Sequence, residues 1–162
     1  MSMNHRILFE DNHLIAVNKQ SGDLVQGDKT GDEILPDVIK DYIGKKYKKS
    51  GAVYLGVVHR LDRPTSGVVI FARTSKALPR MNKLFAEHET NKTYWAIVEG
   101  NVPKKKARLE HYLVRNPKQN KSYAHNHEVP NSKKAALSYA VIKVLDRYTL
   151  LEIELETGRH HQ

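Results

Sequence analysis

The stretch His59-Arg60-Leu61-Asp62-Arg63-Pro64-Thr65-Ser66-Gly67 sets one carboxylate between two guanidinium groups, directly before an apolar run that opens on glycine. Flanking positive charge favours the ionised carboxylate, and an ionised carboxylate is a nucleophile or a general base. The Arg-Pro-Thr-Ser-Gly composition reads as loop, and a loop on a rigid scaffold is where side chains are presented to substrate. The same letters also fit a charged surface turn, where most ion pairs contribute little. Thr65 and Ser66 read as loop-shaping residues, because a hydroxyl nucleophile needs an adjacent base. His111, His125 and His127 lack the paired spacing of a metal site, and no bound metal is expected.

The elements that must position Asp62 are short. Residues 7–10 and 14–17 are apolar runs about Asp11-Asn12-His13, the pattern of a hairpin. Residues 21–23 and 27–32 are loop chemistry, after which Ile34, Leu35, Val38, Ile39, Tyr42 and Ile43 recur at helical spacing. Val57-Val58 leads into the Asp62 loop, and residues 68–72 leave it as an unbroken apolar run suited to a strand buried on both faces. Thr74 or Ser75 can cap a second helix whose Leu78, Met81, Leu84 and Phe85 share a face, with Pro79 predicting a ragged first turn. Residues 92–98 alternate with apolar side chains on both faces, as an interior strand does. Residues 101–108 and 116–134 are polar, basic and loop-rich. Residues 135–145 and 148–156 read as two strands about Asp146-Arg147, the second with Leu151, Ile153 and Leu155 inward and Glu152, Glu154 and Glu156 outward.

A chain of 162 residues supports one sizeable core, so a single domain over residues 1–162 is expected. Lys+Arg 27 against Asp+Glu 18 gives a net charge of +9, which favours a polyanionic partner. Nucleic acid fits better than a membrane: no window approaches the roughly 20 apolar residues of a spanning helix, and the lysines form no membrane-seeking helix. The absence of cysteine excludes a disulfide framework and a thiolate zinc site. A reducing, cytoplasmic setting fits, and the first residues lack the apolar stretch of an export signal.

Residues 56–73, GVVHRLDRPTSGVVIFAR, closely resemble the signature of the RluA-type family of RNA pseudouridine synthases. Three further stretches agree in order and type: ILFEDNHLIAVNKQSG at 7–22, NKTYWAIVEG at 91–100 and LEIELETGRHHQ at 151–162. The first departs from the family's usual Lys-Pro-Ser-Gly by having Gln20, which touches only a loop conformation. The family's last motif usually continues beyond His-Gln to an Arg that pairs with the catalytic Asp, whereas this sequence stops at Gln162. The resemblance therefore implies a catalytic domain truncated at its carboxy terminus, with little or no turnover by the piece alone, and no separate RNA-binding domain ahead of it.

The implied fold is α/β (α+β), a mixed, largely antiparallel sheet with flanking helices. The implied activity is isomerisation of uridine to pseudouridine in structured ribosomal or transfer RNA, by a monomer without cofactor. By resemblance Asp62 is the catalytic residue, either as nucleophile at C1′ or as the base that takes the 2′ proton. Tyr94 matches the family's active-site tyrosine and Arg60 the group that braces the flipped-out nucleotide; an ordinary core tyrosine and a plain phosphate contact are the alternatives. RNA contacts are assigned to His59, Arg63 and Arg159. The competing reading is a basic RNA-binding module with the same fold but no turnover. A glycosidase is disfavoured, since such enzymes normally use two carboxylates.

Overall fold

The computed structural model describes residues 3–27 and 31–162, so residues 28–30 of the expected 27–32 loop lie outside the described part. The chain divides into two compact units, Met1–Glu87 and His88–Gln162. In the first, β1 (Ile7–Glu10) and β2 (Leu14–Lys19) form the expected hairpin. Its turn is closed by Asp11, whose carboxylate accepts the N–H groups of His13 and Leu14 at 2.7 and 2.6 Å. β2 also pairs with β4 (Gly67–Ala72), and β3 (Gly56–Val57) covers the other edge of β4, giving an antiparallel sheet of order β1-β2-β4-β3.

Helix α1 (Leu35–Lys46) starts after Ile34, with Pro36 in the first turn where no N–H partner is needed. It buries Ile39 and Ile43 against Ile15, Val17, Val69 and Phe71, all essentially without solvent contact. Each of these side chains contributes about 1.5–3 kcal/mol of burial. The second helix, α2 (Ala77–Ala86), is capped as anticipated: the Thr74 hydroxyl accepts the Ala77 N–H at 3.2 Å, and the Thr74 carbonyl accepts the N–H groups of Ala77 and Leu78. Pro79 is the third residue of the helix and has no N–H to give the turn before it, so Ser75 and Lys76 remain turn rather than helix, the ragged start that was expected. β4 differs from the expected doubly buried strand, because Val69 and Phe71 are inside while Val68 is 53% exposed on the other face.

Glu10 at the end of β1 ties this unit together. Its carboxylate accepts hydrogen bonds from Tyr42 (3.0 Å), Lys46 (2.7 Å) and Tyr47 (2.8 Å), and Arg73 approaches to 3.2 Å. Burial opposes ionisation, but the Lys46, Tyr47 and Tyr42 hydrogen bonds outweigh it and hold the carboxyl below the usual glutamate value of 4.5. A lowered carboxyl stabilises the fold fully above its unfolded-state pKa, and the contribution disappears as pH falls through the folded value. Glu10→Gln is expected to cost about 1–3 kcal/mol at pH 7, with a smaller difference from wild type in acid. Urea titrations at both pH values check this.

The second unit is a five-stranded antiparallel sheet of order β5-β9-β8-β6-β7. Its strands are β5 (Thr93–Glu99), β6 (Lys106–Asn116), β7 (Lys121–His125), β8 (Lys133–Val144) and β9 (Tyr148–Leu155). The β8–β9 hairpin appears where the alternation placed it, closed by Leu145 N–H to the Tyr148 carbonyl at 2.8 Å. Two expectations change. β5 is the sheet's edge, with β9 as its strand neighbour, and Trp95 and Ile97 on its outer face are 73% and 67% exposed. The basic region read as loop-rich contains β7 and the start of β6, an 11-residue strand that was not anticipated, and the two are paired through their backbones from Tyr112↔His125 to Asn116↔Lys121. Among the described residues no helix is long and apolar enough to cross a membrane.

Candidate active site

In the Asp62 loop His59, Leu61 and Asp62 are half-buried and Arg60 and Arg63 exposed, with Leu61 packing on the core cluster. A turn follows, closed by Thr65 N–H to the Asp62 carbonyl at 3.0 Å. Gly67 then enters β4 at φ +136, a conformation that side chains rarely adopt.

Beneath the loop lies a residue that the sequence reading passed over. Lys19 ends β2 in step with Ile15 and Val17, and like them it is fully buried. Its ammonium donates to the carbonyl oxygens of Thr65 (2.6 Å), Arg63 (3.0 Å), Asp62 (3.1 Å) and Gln20 (3.2 Å). A buried charge is tolerated only when its hydrogen bonds are met, and three of these acceptors belong to the loop that carries Asp62. Burial draws the Lys19 ammonium below the ordinary lysine range, while the Asp23 and Asp62 carboxylates pull the other way. The backbone adds a further tie: Gly22, at φ +96, donates its N–H to the Arg63 carbonyl at 2.8 Å. The Gln20 N–H, which a proline would lack, donates to Asp23 at 2.7 Å, and Asp23 also pairs with Arg6.

The two arginines that flank Asp62 each have a partner outside the motif. Arg60 donates to the Gln26 side chain at 2.8 Å, and Arg63 pairs with Asp32 at 2.7 Å. His59 accepts the Ile70 N–H at Nε2, 3.0 Å away, and its ring stacks on Phe85. The first unit thus gathers His59, Arg60, Asp62 and Arg63 on one loop, whereas Tyr94 and Arg159 belong to the second unit. Tyr94 is half-buried on β5 opposite Ile153. Arg159 is exposed and donates from Nε to the Lys134 carbonyl at 2.9 Å. The turn that carries it is pinned by Gln162, which accepts from Arg159 N–H (3.0 Å) and Thr157 (2.9 Å) and donates to the Ala136 carbonyl (3.0 Å).

No group of three or more His, Cys, Asp or Glu side chains that could hold a metal ion occurs among the described residues. A cleft of about 460 Å³ on the second unit is lined by Lys106, Arg108, Glu152 and Glu154. Its mixed signs suit it poorly to a polyanion.

Residues 13–162 match the family model described as RNA pseudouridylate synthase. The chain belongs to that family. This RNA pseudouridylate synthase family chain is 33% identical over 158 residues to the ribosomal large subunit pseudouridine synthase D of Zymomonas mobilis, covering 96% of this chain and 49% of that protein. It is 31% identical over 170 residues to the tRNA pseudouridine synthase C of Vibrio cholerae, covering 96% of this chain and 66% of the relative. The chain therefore spans between about half and two thirds of the length of these curated relatives. Among solved structures, human RNA pseudouridylate synthase domain containing 4 superposes with a TM-score of 0.82 at 23% identity, over 99% of this chain and 62% of that one. The anticipated α+β fold, a largely antiparallel sheet with flanking helices, is borne out in class, and its strands are distributed over two antiparallel sheets with two helices among the described residues.

Proposed function

We propose that the protein is an RNA pseudouridine synthase that converts uridines of ribosomal or transfer RNA to pseudouridine. The overall reaction is an isomerisation: the C1′–N1 bond breaks, the uracil turns, C1′ joins C5, the C5 proton leaves and N1 gains one. It needs no cofactor. Asp62 is the acting carboxylate, either attacking C1′ or removing the 2′ proton. A target inside a helix must be everted first, and Arg60 braces the gap. Tyr94 lies against the turned-out base, while Arg63, Arg159 and the scattered lysines bind phosphate.

The observation that carries this reading is the Lys19 ammonium under the loop. Three loop carbonyls converge on one buried cation, which is an expensive arrangement for a surface turn and an apt one for holding a reactive group still. The names of the relatives point to ribosomal and transfer RNA as the substrate classes.

The test uses the native full-length protein. Ribosomal and transfer RNA transcripts are incubated with it and digested to nucleosides, which are separated by chromatography. Pseudouridine without free uracil is expected. Release of uracil would make the protein a hydrolase, and bound RNA with unchanged nucleosides would make it a binding module.

A further inference from the structure

Resting on the synthase reading above, we propose that His59 is a positioning residue whose neutral imidazole closes the base of the Asp62 loop, in place of the RNA contact that its motif suggests. β3 covers β4 only at Gly56↔Ala72 and Val57↔Phe71. One residue nearer the loop, the backbone N–H of Ile70 has passed the end of β3, and a partly buried donor of this kind needs a partner. His59 supplies it through Nε2 at 3.0 Å. The side chain takes over where the strand stops.

Two consequences follow from that bond. A ring nitrogen that accepts a hydrogen bond carries no proton, so the imidazole is neutral with its hydrogen on Nδ1. An imidazolium would set N–H against N–H, whereas a phosphate contact would favour the charged ring. The plane of the ring is fixed by Phe85 of α2, with centroids 4.8 Å apart and planes 19° from parallel. His59 therefore joins the strand entering the loop, the strand leaving it and α2, three residues before Asp62. A displacement of about 1 Å at a reacting group costs on the order of 100-fold in rate, so a loosened loop base acts on turnover before it acts on RNA affinity.

Two variants of the full-length protein separate the roles. His59→Phe keeps an aromatic ring over Phe85 and removes the acceptor, while His59→Gln restores an acceptor of similar reach. On RNA tritiated at uridine C5, His59→Phe is expected to lower kcat about 10- to 100-fold with RNA Kd within about twofold, and His59→Gln to recover most of the loss. Nitrogen-15 NMR of wild type at neutral pH is expected to show the ring proton on Nδ1 and a slowly exchanging Ile70 amide. Weakened RNA binding with kcat intact in His59→Phe, or a protonated Nε2 in the folded protein, would overturn the proposal. Should His59→Phe fail to fold, His59→Gln and the wild-type NMR decide. Absence of tritium release from wild type would sink the synthase reading alone, since the tautomer and amide protection still test the strut.

Discussion

Lys19→Met is expected to lower turnover by about 100-fold and stability by about 2–3 kcal/mol, with RNA affinity little changed. Met keeps the length and burial of the side chain and removes the ammonium. That relieves the cost of burying a charge, which moderates the loss. It also strips a donor from the carbonyls of Gln20, Asp62, Arg63 and Thr65. The Asp62 and Arg63 carbonyls keep bonds from Thr65 and Gly22, so the unit should fold with a looser loop. Urea unfolding, RNA binding and kcat measured on one preparation check all three parts. Unchanged kcat would show that the buried cation serves the core and has no part in presenting Asp62.

That residue marks the boundary of what the sequence made legible. The strands beside Asp62 could be read because charged and apolar residues sort cleanly there, and β9 because Leu151, Ile153 and Leu155 alternate with glutamates, whereas local chemistry alone left Asp62 open to a plain charged turn and its role rests on the resemblance of residues 56–73. The signal for Lys19 was also present: it continues the Ile15, Val17 period of two into the core. A lysine at a strand end is normally solvated, and only the folded loop reveals the carbonyls that meet it. β5 was misplaced for a different reason. Apolar residues on both faces of a strand describe its composition, whereas its place in the sheet is set by which strands pair with it. β7 was missed because Lys121-Ser-Tyr-Ala-His125 has no apolar alternation and owes its extended form to β6.

The largest effect is expected from Asp62→Asn. The amide keeps the size and the hydrogen-bonding outline of the carboxylate, and the loop is held through backbone carbonyls and Leu61, so folding should survive. What disappears is the charge that either chemical route needs: an amide neither attacks C1′ nor takes the 2′ proton. Loss of the reacting group in enzymes with a single nucleophile or base runs to about 10⁴-fold or more. RNA binding, which the proposed function assigns to arginines and lysines on phosphate, should stay within about threefold. A parallel loss of binding and turnover would instead make Asp62 a structural member of the RNA surface.

The most direct single measurement is tritium release under single-turnover conditions, with full-length protein in excess over RNA labelled at uridine C5, for wild type and Asp62→Asn side by side. Release by wild type and none above background by the variant, with both proteins holding the RNA, is the predicted result. Release by Asp62→Asn at the wild-type rate would contradict the assignment of chemistry to that carboxylate.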